Sequence, residues 1–412
     1  MRPIFHFTAS KGWINDPHGI SFHNGEYHSF YQHVPNSTEW APNCHWGHAV
    51  GPDLLTLREL PIAIAPGDGD DGIWTGSIVS RDGQGVAFYT SVETPKFGIG
   101  KVRIAISEDP NWEIWTKGEF LVEAPPGLDL IAFRDPFIRW DPDAWRMFLG
   151  AAGADGTAMA LTYVSDNLVN WQYQGIALER SNSQRSEVWM GSLWECPQFV
   201  SVDDQELMIS SIWDADNLHY AAFAAGQYDK GTFHPERWGQ LTFGGVYYAP
   251  SFFRDAQGRP CLQLWMRGIR SNADSWTGAH SIPYVLHWID GKIWPLPHPD
   301  IEKYWVEPQA AKTAGLACDI LWNPDQGDIE ITSAGISLLR LQGLANGEVL
   351  VTTLDENHQL PLSGELRVIL DGPILEISGK GGLFAMAIEP QGSNLEISTT
   401  ATVPPAIFEL SR

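Results

Sequence analysis

Three carboxylates, Asp16, Asp135 and Glu195, each stand six to eight residues ahead of a turn signal and just after an aromatic residue: Trp13, Phe133 and Trp194. Two hydroxyl residues, Ser77 after Trp74 and Tyr248 after Tyr247, hold the same place ahead of two further turns. Carboxyl groups converging in an aromatic-walled hollow suit a sugar. Ring faces pack on C–H surfaces while acids grip hydroxyls or do chemistry.

The elements that would bring these residues together are strands. Ile20–His23, then Asn24-Gly25, then Glu26–Tyr31 is a hairpin signature, because Asn-Gly favours the type I′ turn. Turn signals recur at Asp82-Gly83, Asp141-Pro142, Asp203-Asp204 and Asp255 to Gly258, at spacings of 52 to 62 residues. A second series, Pro52-Asp53, Glu108-Asp109, Ser165-Asp166 and Tyr228-Asp229, repeats at 56 to 63 residues. A repeat of about 57 residues with room for four strands predicts a propeller blade, and five turns predict five blades. Inner strands of successive blades surround one axis, so residues at their starts meet at one mouth. A large β-sandwich with evenly spaced turns is the alternative.

The last hundred residues differ. Of 19 tryptophans, 17 lie at or before Trp294, and 12 of 13 histidines precede residue 300. Short apolar runs with turn residues follow, such as Leu366 to Gly379, so the expectation is an all-β chain with a propeller over 1–300 and a β-sandwich over 301–412. The boundary is set where Pro295, Pro297 and Pro299 crowd together.

Charge excludes some partners. Lys+Arg is 26 against Asp+Glu 50, a net charge of −24, which argues against nucleic acid or anionic lipid. It also disfavours a phosphorylated substrate, although a local Arg could serve one. No apolar stretch of about 18 residues predicts a membrane span. The N-terminus lacks the apolar core of a signal peptide, so a cytoplasmic location is expected. Cys44, Cys196, Cys261 and Cys318 make no disulfide framework. His18, His23, His28 and His33 recur every five residues, but odd spacing along strands sends successive residues to opposite faces, so no metal site is expected. Gly67 to Gly72 carries clustered Asp without a calcium loop's closing Glu, and reads as a solvated loop. Cys196 has no evident base partner and reads as a small packed residue.

Trp13-Ile-Asn-Asp-Pro-His-Gly19, Phe133-Arg-Asp-Pro136 and Trp194-Glu-Cys-Pro197 resemble the three signature blocks of glycoside hydrolase family 32, the invertases, inulinases and levanases. Phe30-Tyr-Gln32, Trp46 to Ala49, Trp74 to Ser77, Tyr248 to Pro250 and Trp265-Met266 agree in order. The resemblance implies a retaining β-fructofuranosidase acting on sucrose and short fructo-oligosaccharides, with no cofactor or metal. It implies Asp16 as nucleophile, Glu195 as general acid/base and Asp135 as transition-state stabiliser. Asn15, Gln32, Trp40, Trp74, Ser77 and Arg134 match positions that bind the fructosyl unit. Retaining glycosidases keep the two working carboxyls about 5 Å apart, and the acid must hold its proton near neutrality. Dry surroundings or a neighbouring carboxylate favour that, and Trp194 and Cys196 flank Glu195. His18, Ile14, Gln198, Thr242 and Val246 depart from the family pattern, which puts the leaving-group side of the pocket in doubt. An exo-fructanase or fructosyltransferase on levan or inulin, a pentosidase, and a non-catalytic carbohydrate-binding protein are the alternatives.

Overall fold

The computed structural model describes residues 1–306 and 313–412. The described chain is almost entirely strand, with two short 3-10 turns at Pro299–Tyr304 and Pro324–Gln326. No helix among the described residues is long and apolar enough to cross a membrane.

Three four-stranded antiparallel meanders follow one another along the chain. They begin at strands Gly72–Arg81, Leu130–Trp140 and Leu193–Val202. A nine-stranded sheet joins the first strands of the protein (Gly12–His23, Glu26–Val34, His45–Gly51) to a later set that includes Tyr247–Arg254 and Pro260–Ser271. The stitch is strand Trp276–His280, which runs parallel to Gly12 and Trp13. All five turn signals join the first two strands of such a unit. At two of them, Asn24-Gly25 and Asp82-Gly83, both central residues have positive φ (49° and 87°, 53° and 84°), as a type I′ turn requires.

Two further sheets, of seven and six strands, contain all of the remaining described strands. They share one core: Ile320, Val368 and Ile377 from one sheet meet Ile331, Leu339 and Val351 from the other. Two of the crowded prolines, Pro295 and Pro297, lie within a strand. Lys292–Pro297 pairs with Tyr284–Ile289 and is an outermost strand of its sheet, where proline's missing N–H costs nothing.

Front and back of the chain are fastened to each other. Strand Thr242–Phe243 extends the seven-stranded sheet beside Gly382–Ala387. A buried ionic node does the rest. The backbone N–H groups of Ile4, Phe5 and His6 donate to the Asp371 carboxylate at 2.6–3.1 Å. The His6 ring contacts Asp371 through Nδ1 and Glu376 through Nε2, both at 2.9 Å. Glu376 also accepts from the Tyr247 hydroxyl at 2.7 Å. Burial alone would lower the imidazole, but Glu376 and Asp371 outweigh it and raise His6 to about 9.

Because that value exceeds the ordinary 6.5, the stabilisation from His6 is complete below pH 6.5 and is lost as pH rises through 9. His6→Gln should therefore lower stability by on the order of 3 kcal/mol near pH 6.5, since two buried carboxylates lose their cation. Near pH 9.5 the gap to wild type should narrow. Denaturant melts at both pH values measure this; a gap independent of pH would remove the imidazolium from the node.

Candidate active site

A hollow of about 650 Å³ opens where the five unit-starting strands meet. Asp16, Asp135 and Glu195 line it together with Asn15, Gln32, Trp40, Trp74 and Arg134. The residues come from four of those strands, the strand Glu26–Val34 and the loop that carries Trp40.

Backbone register explains how two consecutive residues enter one hollow. Side chains of a regular strand alternate between faces. Here each of the five strands carries one residue more than its partner at this point. Asn15 and Asp16 lie opposite Gln32 alone, and Asp135 and Pro136 opposite Leu149. Cys196 and Pro197 lie opposite Ser210, Ala249 and Pro250 opposite Leu264, and Thr75 has no counterpart. These are β-bulges, which re-aim side chains. In four of the five a proline comes one or two residues after the hollow-lining Asp16, Asp135, Glu195 or Tyr248 and cannot donate to the ladder, so pairing must break there. Asp135, Cys196 and Ala249 take positive φ of 64°, 51° and 46°.

Asp16 is held by donors. Its Oδ2 accepts from Thr75 Oγ1 at 2.6 Å and Gln32 Nε2 at 3.0 Å, and its Oδ1 accepts from Asn15 Nδ2 at 3.1 Å. Asn15 is fixed in turn by Trp13 Nε1 at 2.9 Å. Withdrawal from bulk water raises Asp16 above the usual carboxylate range. Thr75 and Asn15 oppose this, and the charge of Glu195 adds to it. Asp135 accepts from the Cys196 N–H at 3.0 Å. Burial pushes it up to about 7 despite Arg134, with Glu195 and Asp16 contributing. Glu195 is gripped on both oxygens: Arg134 donates to Oε1 from Nη2 at 2.7 Å and Nε at 3.1 Å, and the Tyr248 hydroxyl donates to Oε2 at 2.6 Å.

Some sequence expectations need correction. Ser77 is absent from the hollow's wall; its Oγ donates to Pro136 O at 2.9 Å and accepts from Ile138 N–H at 3.1 Å. Thr75 touches Asp16 instead, because the bulge between Trp74 and Gly76 shifts the alternation. Trp194 does not shield Glu195. It faces the opposite side, donates to Met190 O and packs on Trp238. Cys196 is packed, but its Sγ also lies 3.8 Å from both Asp16 and Asp135. Burial and these carboxylates drive its thiol well above the usual range, so it stays a donor.

His18, Ile14, Gln198, Thr242 and Val246 are likewise absent from the wall of the hollow. Gln198 ties strands together through Pro250 O and Phe252 N–H, and Thr242 accepts from Ala221 N–H. The loop over Gly67–Gly72 is not simply solvated. Asp70 is buried under Arg103 at 2.8 Å and Lys117 at 2.9 Å.

Sequence reasoning missed Thr75, Phe97, Trp213, Asp216 and Trp265. Thr75 was within reach, as the neighbour of Trp74 in a strand whose bulge no periodicity reveals. Trp40, Trp74 and Phe97 form an aromatic rim with ring centroids 5.8–6.3 Å apart. The groups of three metal-capable side chains among the described residues comprise one, Asp255, Cys261 and His298. It lies outside the hollow, and its carboxylate already binds Arg259.

An all-β scaffold that presents carboxyl groups in an aromatic hollow has the makings of a glycoside-cleaving site. The sequence pattern of the Glycosyl hydrolases family 32 N-terminal domain matches residues 6–297, and the chain belongs to that family. Sucrose-6-phosphate hydrolase of Zymomonas mobilis is 32% identical over 314 residues, covering 71% of this chain and 60% of that protein. Beta-fructofuranosidase, insoluble isoenzyme 4, of Oryza sativa is 32% identical over 323 residues, covering 70% and 53%. The chain thus spans less than two thirds of the length of these relatives. A Bombyx mori GH32 beta-fructofuranosidase mutant in complex with sucrose has a similar fold. Its TM-score is 0.86 at 24% identity, over 100% of this chain and 94% of that one.

The raised value of Asp135 makes a stability prediction. Its ionised form costs folding free energy that appears as pH rises from 3.8 through about 7. Asp135→Asn should raise stability by on the order of 1–3 kcal/mol at pH 8 and by almost nothing at pH 4. Thermal melts at the two pH values decide; equal shifts would show that the charge of Asp135 carries no such cost.

Proposed function

We propose that this chain is a retaining β-fructofuranosidase built as a five-bladed β-propeller over 1–300 and a β-sandwich over 301–412. Four-stranded meanders, a shared sheet between the first and last units, and two facing C-terminal sheets support the architecture. The observation that carries the function is the convergence of Asp16, Asp135 and Glu195 in one aromatic-rimmed hollow. Asp16 is surrounded by donors that favour its ionised form, and Glu195 is oriented by Tyr248 and Arg134.

In this reading Asp16 attacks the anomeric carbon of a terminal fructosyl unit while Glu195 gives its proton to the departing oxygen. Glu195 then deprotonates water, which releases the sugar from Asp16 with net retention. Asp135 binds ring hydroxyls more tightly at the oxocarbenium-like state than in the ground state. Asn15, Gln32, Trp74 and Arg134 build the fructosyl pocket, and Trp40 with Phe97 closes its rim. Sucrose and short fructo-oligosaccharides are the substrates. Four buried, unpaired thiols suit a reducing compartment such as the cytoplasm.

Role-specific substitutions test the reading. Asp16→Ala should abolish turnover, and Asp135→Ala should lose several orders of magnitude in a folded protein. Glu195→Ala should collapse on sucrose yet still react with a fructoside bearing an acidic phenol, because acid catalysis matters least for a good leaving group. Added azide should restore its turnover. Equal loss on both leaving groups with no azide effect would take Glu195 out of the acid/base role.

The hollow also favours a neutral leaving group. Asp16, Asp135, Glu195 and Asp216 line it, and Arg134 is the single Lys or Arg among its wall residues, already committed to Glu195. Higher kcat/KM is expected for sucrose than for its 6-phosphate. A strong preference for the phosphate that weakens with salt would overturn this.

A further inference from the structure

The strand that carries Asp16 is held from outside its own ladder. At a bulge the extra residue leaves the ladder, so its backbone groups need other partners. Three buried histidines reach the carbonyls around this bulge. His33 Nδ1 lies 2.9 Å from Trp13 O, His280 Nε2 lies 2.9 Å from Asn15 O, and His18 Nδ1 lies 3.0 Å from Asp16 O. A carbonyl only accepts, so the ring nitrogen at each contact carries the proton. Two of these histidines belong to the five-residue run His18, His23, His28 and His33, and the third comes from strand Trp276–His280. That strand passes so close that a Cβ at Gly278 would fall 2.0 Å from Ile14 O.

The surroundings fix the tautomers. His18 and His280 are 2% and 0% exposed. Their other ring nitrogens, Nε2 of His18 and Nδ1 of His280, find no hydrogen-bond partner among the described residues. Each ring therefore has one bond to make, and the carbonyl decides which nitrogen holds the proton. His18 packs on Trp46 with ring centroids 4.2 Å apart, and His280 on Phe7 at 5.5 Å. Burial lowers His18 to about 3 and His280 to about 4, against carbonyl bonds that favour the cation. Both rings stay neutral near neutrality and add no charge beside Asp16.

We propose that His18 and His280 are positioning residues for Asp16: imidazoles of opposite tautomer that clamp two consecutive carbonyls of the bulge and so fix the aim of its carboxylate. The proposal rests on the fructosidase reading above, in which Asp16 attacks the anomeric carbon. The clamp acts on the main chain, while Thr75, Gln32 and Asn15 hold the carboxylate itself. A reacting group displaced by about 1 Å costs on the order of 10²-fold in rate, so loss of the clamp falls on kcat.

Side-chain amides separate the clamp from packing. The Asn amide nitrogen takes the place of imidazole Nδ1, and the Gln amide nitrogen that of Nε2. His18→Asn and His280→Gln should keep kcat on sucrose within about threefold of wild type. His18→Gln and His280→Asn should lower kcat by about tenfold or more, with KM within roughly twofold. Equal effects of Asn and Gln at both positions, or the reverse pattern, would overturn the clamp. A second measurement needs no variant. Long-range nitrogen–proton NMR correlations of the histidine rings should show Nδ1–H at His18 and Nε2–H at His280, and the other tautomer at either residue would overturn the proposal even where a variant fails to fold. A wild type that cleaves no fructoside would overturn the fructosidase reading instead, while the tautomers still report the clamp.

Discussion

The site depends on one backbone constraint: an extra residue at the same point in each of five strands. A regular strand would send Asn15 and Asp16, or Arg134 and Asp135, to opposite faces. The bulge puts both members of each pair on the same side. Prolines at 17, 136, 197 and 250 enforce the break by withholding an N–H where the ladder would need one. The fifth strand uses Gly76 instead, where a Cβ would fall 1.9 Å from Phe88 O. Positive φ at Asp135 and Cys196 is strain that the surrounding sheets must hold, and strain of this kind clusters at functional sites.

Packing three acids into one hollow raises a second difficulty, their mutual repulsion. The protein answers with donors from separate strands. Thr75 and Gln32 reach Asp16 from two neighbours, and the Cys196 N–H serves Asp135 from the next unit. Arg134 lies 5.8 Å from the Trp74 ring centroid as it binds Glu195, so one guanidinium serves both wall and acid. The remaining support is remote. Tyr248, which holds Glu195, follows Tyr247, which is pinned by Glu376 of the seven-stranded sheet and through it by His6. The C-terminal sheets thereby buttress the strand that orients an acid about which they carry no chemistry.

What could be read from the sequence followed from local rules. Asn24-Gly25 and Asp82-Gly83 announce hairpins because two successive residues must take positive φ. The Asp-Pro and Cys-Pro pairs mark breaks in pairing for an equally local reason. Ser77 was misplaced because the count back from the turn stopped two residues short of the bulge, which turns Thr75 toward Asp16. Pro295 and Pro297 crowd just before the expected boundary because an outermost strand accommodates them. Asp70 looked solvated because Arg103 and Lys117, which cover it, lie 33 and 47 residues away. The cover over Asp70 is a contact between residues distant in the chain, which composition and spacing cannot report.

The same distinction separates the floor of the hollow from its mouth. The floor is made by strand starts, whose bulges leave little freedom of aim. The mouth is made by connections: Trp40 on the loop before His45, Phe97 on the stretch before Lys101, and Asp216 in the turn between strands Gln205–Asp214 and Asn217–Asp229. Connections tolerate change that strand starts do not. The departures from the family pattern at His18, Ile14 and Gln198 lie outside the wall of the hollow and within buried packing. They therefore act on support for the floor. In the proposed fructosidase reading, discrimination among leaving groups comes from the mouth, where rings and loop side chains can vary without disturbing the aim of Asp16, Asp135 or Glu195.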